Sequence, residues 1–437
     1  MDFIKYYTEK TAKSAELFKQ STTLMPGGVS HNIRYYAPHP VFMNRGEGSK
    51  IFDVDGNEYI DLWMGHYAHI LGHNPNIIKK INHKNIEDAT HLGTVNPFEI
   101  DLAKKITKNI PSIESLKFCT SGTEAAMYAL RLARGYTQKP IVIKMAGGWH
   151  GAGSELSKAI KYPYVNGVTG VFKNISDGTD YIFFNDIENS YKVLKQYKDS
   201  IACIILEPVI GEGGFLPAEK NFLEFLREET HKMNSLLIFD EVITGFRLSL
   251  GGAQGVYGIT PDLTTMGKII GGGFNIGLVG GKREIMELSS PKYKGEDKVL
   301  IGGGTFSATP YTMRAGTEVV NFLENNPDIY TKLREKGDYV RGSIRKFIKD
   351  NSIKAIVTGT ESLYMVSFPF DSDTQINSPS DIGGKTDIYK REHEFKVRLL
   401  NNGIHVMHGG GAISFAHTKD DLDLIIAKTS KVLMEMN

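Results

Sequence analysis

At 437 residues, with 41% hydrophobic and 23% charged side chains, the chain is long and apolar enough to bury a large core, a composition that speaks against a fibre, a disordered tail or a membrane protein. Lysine and arginine total 51 against 50 aspartates and glutamates, a formal net charge of +1, so no broad cationic field exists to hold nucleic acid or an anionic membrane. The two cysteines, Cys119 and Cys203, lack paired spacing, which excludes a disulfide framework and a cysteine metal site.

Met1 to Lys13 mixes charges and aromatics without the apolar core of a signal peptide, and no run approaches membrane-spanning length, so a cytoplasmic location is the expectation. Ala12 to Leu24 predicts an amphipathic helix that ends before Pro26-Gly27-Gly28. Ile51 to Val54 and Glu58 to Leu62 flank Asp55-Gly56-Asn57, strong punctuation for a hairpin. From about Asn76 to Leu323, helical patterns alternate with the short β-rich runs Leu116–Cys119, Ile141–Lys144, Cys203–Leu206 and Leu236–Phe239. That alternation predicts an α/β fold, a mostly parallel sheet covered by helices, with ligands beyond the carboxyl ends of its strands. After Asn326 the pattern predicts a smaller α+β domain: a helix over Lys332–Lys349, a strand near Leu363–Phe368 and a last helix from Asp420. The expected organisation is an N-terminal segment over 1–75 belonging to the small domain, a large domain over 76–325 and a C-terminal small domain over 326–437. Ser372 to Gly384 is polar enough to be a mobile loop.

Four stretches carry chemistry. Thr120-Ser121-Gly122-Thr123-Glu124 joins a strand end to a helical run through hydroxyl residues and a glycine, which suits a phosphate cradle at a helix start. The same Ser-Gly-Thr-Glu is equally an ordinary capping box. Leu236 to Glu241 ends an apolar strand in two carboxylates, and a carboxylate buried there needs a cation, such as a protonated pyridine nitrogen. A metal ligand is the alternative, but no His or Cys cluster stands nearby. Lys268, between an apolar run and Gly271-Gly272-Gly273, would be poorly hydrated, which lowers its pKa and frees the amine to attack an aldehyde. Gly148-Trp149-His150-Gly151 sets an aromatic between glycines in a strand-end loop, suited to stacking on a flat ring, although a core tryptophan reads the same way.

Together these stretches resemble class III (fold type I) aminotransferases, which depend on pyridoxal 5′-phosphate (PLP), and within them the glutamate-1-semialdehyde aminomutase branch. The resemblance runs from Met25-Pro26-Gly27-Gly28-Val29 through Asp53-Val54-Asp55-Gly56 to Ala416-His417-Thr418. Its most specific block is Pro261-Asp262-Leu263-Thr264-Thr265 with Gly267 to Gly273. It implies that Lys268 holds the cofactor as a Schiff base and shuttles a proton, and that Asp240 meets the pyridine nitrogen. Ser121, Gly122 and Thr123 would bind the phosphate, joined by Thr305 from the other subunit of a homodimer. Trp149 would stack on the ring, with His150, Glu207 and Val242 as further cofactor contacts. Arg34 would take the substrate carboxylate, with His66, Tyr67 and Glu212 as further substrate residues and no metal.

This chain departs from the aminomutase pattern at several places. It has Gly65-His66-Tyr67-Ala68 where that branch has Ser-Trp-Gly-Pro, and Ala308-Thr309-Pro310 in place of Gly-Asn-Pro. Its C-terminal segment His408 to Ala412 is shorter, and Glu212 is a feature of ornithine- and 4-aminobutyrate-type transaminases. The expectation is therefore ping-pong amino transfer from a carboxylate-bearing amino compound, including a β- or aromatic amino acid, to an oxo acid. Glutamate-1-semialdehyde 2,1-aminomutase is the alternative. An amino-acid racemase and a non-catalytic PLP-binding relative stand further off.

Overall fold

A computed structural model of the chain describes residues 2–81, 90–164, 168–172, 175 and 177–437. These form two compact units, one of 76–330 with 375–384 and the other of 1–75, 331–374 and 385–437.

The first unit is built on a seven-stranded sheet: β1 (Ser115–Cys119), β2 (Ile141–Met145), β3 (Thr179–Ile182), β4 (Ile201–Leu206), β5 (Leu236–Asp240), β6 (Leu263–Gly267) and β7 (Gly277–Gly281). Their spatial order is β1-β7-β6-β5-β4-β2-β3. Pairing is parallel from β6 through β3, and only β7 runs against its neighbours β6 and β1. Both faces are covered, so β4, β5 and β6 are buried at every position, the reason they read as unbroken apolar runs.

Alternation along the strands sends Val142, Ile205 and Ile238 into one core cluster with the helix Gly122–Thr137, which presents Ala125, Ala129, Leu132 and Ala133. Ile143, Met145, Ile204, Leu206, Leu237 and Phe239 join the opposite cluster with Phe222, Leu223 and Leu226 of the helix Lys220–Lys232. The period of two then gives Lys144 and Asp240 the same face as Val142 and Ile238. Glycines let β7 lie close to β1. A Cβ on Gly277 would stand 2.0 Å from the Ser121 carbonyl oxygen.

The second unit holds a four-stranded sheet, with Met43–Glu47, Lys50–Asp53 and Glu58–Asp61 antiparallel and Ile404–His405 parallel to the last of them. Its hairpin turn is tied by Asp53 Oδ1, which accepts from Asp55 N at 3.0 Å and Asn57 N at 2.8 Å, with Gly56 at φ +92°. A three-stranded antiparallel sheet (Ile356–Thr358, Leu363–Ser367, Gly410–Ala412) packs with the C-terminal helix Lys419–Met436.

Two sequence expectations change in detail. The helix expected over Ala12–Leu24 is the second of a pair, Phe3–Lys10 and Ala12–Thr22, broken at Thr11. The Thr11 hydroxyl bonds Tyr7 O at 2.6 Å, one turn back, and His39 Nε2 at 2.9 Å, a contact outside the reach of a local pattern. The polar stretch Ser372–Gly384 ends in most of the helix Pro379–Lys385, whose Pro379 and Ile382 are buried. Pro379 lies against two glycine loops of the first unit: a Cβ on Gly147 would be 2.4 Å from its Cβ, and one on Gly213 2.7 Å from its Cγ.

Because the atom facing Gly277 is main chain and cannot swing aside, Gly277→Ala is expected to destabilise the protein by about 1–3 kcal/mol, measured as a lower denaturant midpoint.

Candidate active site

The carboxyl ends of β1, β2, β4, β5 and β6 carry, in order, Thr120–Thr123, Gly147–His150, Glu207, Asp240 and Lys268. All lie in the first unit.

Asp240 closes β5 and is 4% exposed. Its Oδ2 pairs with His150 Nδ1 at 2.8 Å, and its Oδ1 accepts from Val242 N at 3.1 Å. Among the described residues no lysine or arginine forms an ion pair with it. A buried carboxylate so placed costs several kcal/mol until a cation arrives. Glu241, its chain neighbour, faces elsewhere: it accepts from Ala253 N at 2.6 Å, Gln254 Nε2 at 3.0 Å and Thr244 Oγ1 at 2.9 Å, and so caps the helix Gly252–Tyr257. The paired carboxylates of the sequence therefore separate into one that faces the site and one that holds structure.

Lys268 follows β6 directly and sits at φ +50°, a left-handed conformation that costs about 1–3 kcal/mol in a non-glycine residue. Burial lowers the pKa of its amine, while Asp240 and Glu207 act in the opposite direction. Glu207 Oε1 accepts from Trp149 N at 2.9 Å and Oε2 from Gly211 N at 3.0 Å. Burial, with Asp240 adding to it, pushes the Glu207 carboxyl up to about 8.

At the end of β1, Ser121 is the N-cap of the helix Gly122–Thr137, its Oγ accepting from Glu124 N at 3.2 Å. The reciprocal half of a capping box is replaced, because Glu124 Oε2 takes Thr120 N at 2.6 Å instead. The first N–H groups of a helix have no acceptor within it, so Gly122 and Thr123 offer donors at the positive end of the dipole. The loop from β2 closes over this end: Ala152 N reaches Thr123 Oγ1 at 3.3 Å, and a Cβ on Gly151 would lie 2.2 Å from that oxygen. Gly122 is similarly fixed against Val242, whose Cγ2 would be 3.0 Å from an added Cβ.

These residues fit a flat, phosphorylated cation. A helix terminus could take a phosphate, a buried carboxylate with no lysine or arginine partner among the described residues could meet a ring cation, and two buried polar atoms, His150 Nε2 and Thr265 Oγ1, have no hydrogen-bond partner in the protein. Thr265 stands beside Asp240 in the β5–β6 register. Among the described residues no group of three or more His, Cys, Asp or Glu is placed to hold a metal ion, and no helix is long and apolar enough to cross a membrane.

Residues 33–433 match the family Aminotransferase class-III. The chain belongs to the class III aminotransferases. Its cofactor is PLP and its fold is that of the fold type I enzymes. It is similar to a protein named glutamate-1-semialdehyde 2,1-aminomutase from Methanosphaera stadtmanae, at 39% identity over 95% of this chain and 96% of the other. Among solved structures it resembles an omega-transaminase from Sphaerobacter thermophilus, at 30% identity and TM-score 0.89 over 96% of this chain and 97% of that one. A transaminase with PLP bound superposes with TM-score 0.88 at 31% identity, over 97% and 98% of the two chains.

The remaining candidates are placed as follows. Glu212 is exposed in the turn after Gly211, and its charge reaches Lys268. Thr305 is exposed and follows Gly304, where a Cβ would be 3.2 Å from Glu124 Oε1. Arg34, His66 and Tyr67 belong to the other unit. There Arg34 and His66 line a cavity of about 430 Å³ with Tyr36, Phe42, Trp63 and Met407, while Tyr67 is buried edge-on against Trp63. His66 rides on a turn in which four consecutive residues, Met64 to Tyr67, have φ between 45° and 66°. Asp61 pins the start of that turn, accepting from Trp63 N at 2.9 Å and Met64 N at 3.0 Å, and is itself held by His73 and His405, each at 2.7 Å.

Sequence reasoning missed Lys144, Thr265 and Asp61. Lys144 had a signal, a charge inside the apolar run Ile141-Val142-Ile143-Lys144-Met145.

The raised pKa of Glu207 sets a pH dependence. Its folded value, about 8, lies above the ordinary carboxyl value of 4.5, so its contribution to stability is full below pH 4.5 and is lost as pH rises through 8. Cofactor-free Glu207→Gln should lack that part of the decline, measured as the difference between wild-type and variant unfolding free energies at pH 5 and pH 8.5.

Proposed function

We propose that this chain moves an amino group between carbons of a carboxylate-bearing compound, and that the exchange is internal, converting glutamate 1-semialdehyde into 5-aminolevulinate. The observation that carries this reading is the likeness to aminomutases across nearly the whole length of both chains, combined with an intact set of Lys268, Asp240 and the Ser121–Thr123 cradle.

PLP, when bound, supplies an electron sink for the carbon that loses a proton. Lys268 Nζ would hold the cofactor by its aldehyde carbon and would serve as the base that removes and returns a proton at the substrate carbon. Its desolvation favours the free amine that both tasks need. Asp240, with His150 behind it, keeps a negative charge at the ring nitrogen. The N–H groups of Gly122 and Thr123 bind the phosphate, with Thr305 contributed by a second copy of the chain in a homodimer. Trp149, whose N–H bonds Glu207, would stack on the ring. Arg34 takes the substrate carboxylate.

A second reading is a ping-pong aminotransferase with an oxo-acid acceptor. Glu212 and the Gly65-His66-Tyr67-Ala68 turn favour it, as does the likeness to solved transaminases at 30% and 31% identity.

The PLP-loaded protein given glutamate 1-semialdehyde alone, with no oxo acid, is expected to form 5-aminolevulinate over many turnovers. No turnover, with the visible band bleached by a different amino compound and restored by an oxo acid, would instead establish the aminotransferase. Lys268→Ala should lower kcat by about 10²–10⁴-fold or more in either case, measured under saturating substrate.

A further inference from the structure

Lys144 is a lysine inside a strand core, 0% exposed, on the same face of the sheet as Asp240. Its strand neighbours are Tyr181 of β3 and Ile205 of β4. Among the described residues it forms no ion pair. Its ammonium donates instead to three main-chain carbonyls: Gly148 O at 2.9 Å, Leu156 O at 3.1 Å and Lys158 O at 2.9 Å. A buried ammonium costs several kcal/mol in solvation, which an apolar side chain of the same length would avoid. The charge therefore calls for a role beyond filling space.

The three carbonyls bracket the loop that bears Trp149 and His150. That loop makes three contacts with the site on its other side: Trp149 N to Glu207, His150 Nδ1 to Asp240, and Ala152 N to Thr123. One buried cation thus gathers both ends of the segment whose middle touches the groups assigned to the ring and the phosphate.

We propose that Lys144 is a positioning residue for the cofactor-ring site: its ammonium closes the Gly148–Lys158 loop and places a fixed positive charge behind His150, so that the His150 ring meets Asp240 as a neutral Nδ1–H donor. The inference rests on the assignment of Asp240 and Lys268 made above. A neutral donor leaves the negative charge of Asp240 whole for the ring nitrogen, whereas an imidazolium would neutralise it. The charged groups acting on His150 are Asp240 from β5 and Lys144 from β2; Glu207, after β4, acts on Lys144, and Lys268, after β6, feels Asp240 and Glu207. Burial lowers the His150 pKa, Asp240 opposes that, and Lys144 reinforces it. Burial also draws Lys144 down to about 8, which leaves it charged at pH 7.

The test uses PLP-loaded protein. In the wild type, imidazole ¹⁵N signals should show His150 protonated on Nδ1 alone from pH 6 to 8, and Lys144 should give a protected ammonium signal at pH 7. In Lys144→Met the His150 titration should move upward, the pH midpoint of the visible cofactor band should shift, and cofactor retention on dilution should shorten about tenfold, the size expected for loss of hydrogen bonds from a charged group. In a His150→Gln background Lys144→Met should shift that midpoint no further, an outcome that plain loss of packing does not predict.

A doubly protonated His150 at pH 7, a Lys144 amine without a protected ammonium signal, or a Lys144→Met protein with wild-type midpoint and retention would overturn the proposal. The two wild-type measurements decide it even where the variant does not fold. Lys268→Ala separates this from the parent assignment. If that variant keeps the visible band, the assignment of the site falls; if it loses the band while Lys144→Met behaves as wild type, only the role of Lys144 falls.

Discussion

The arrangement of the first unit depends on a negative charge kept out of water at the end of a central strand. Asp240 is held by His150 Nδ1 and the Val242 N–H, flanked by Thr265 and the amine of Lys268, and carries no ion-pairing lysine or arginine among the described residues. Two neutral donors orient the carboxylate without neutralising it. A site built this way can accept a cation, and in the proposed function the basic ring nitrogen of PLP would supply it. The low dielectric that makes a lone buried charge costly also makes a matched pair strong.

Around that charge, small residues set distances and buried polar groups set directions. Gly151 and Gly277 bring one loop and one strand so close to Thr123 and Ser121 that a methyl group would overlap a neighbouring oxygen. Lys144 on one side and Pro379 on the other fix the loop between Gly147 and Lys158. Lys268 is held in a left-handed conformation that an isolated chain would rarely adopt. The strain and the exposed donors of the helix start are offset by the apolar clusters on both faces of the sheet.

Much of this was readable from residues adjacent in the chain. Lys268 among glycines, the strand ending at Asp240 and the Ser121–Thr123 turn are local patterns, and local patterns survive in a one-dimensional text. What escaped notice depends on partners far along the chain. Asp240 and Glu241 look alike in sequence, and only the partners brought by Ala253 and Gln254 tell them apart. Thr11 breaks a helix because His39 is waiting for its hydroxyl. Lys144 stands as a charge inside an apolar run, and its role depends on the carbonyls of Leu156 and Lys158, which lie beyond that run. The helix Pro379–Lys385 was hidden because only Pro379 and Ile382 of that polar stretch are buried.

The path of the backbone has a consequence of its own. The chain passes between the two units at 75/76, 330/331, 374/375 and 384/385, and the shortest excursion, 375–384, brings Pro379 to the glycine loops of the catalytic sheet. Neither unit is therefore a contiguous cassette. Recombination that exchanged 76–330 between relatives would leave behind the wedge those loops were shaped to receive. Such a graft would keep that contact only if the decapeptide travelled with the sheet, although forty-four residues separate the two stretches in the chain.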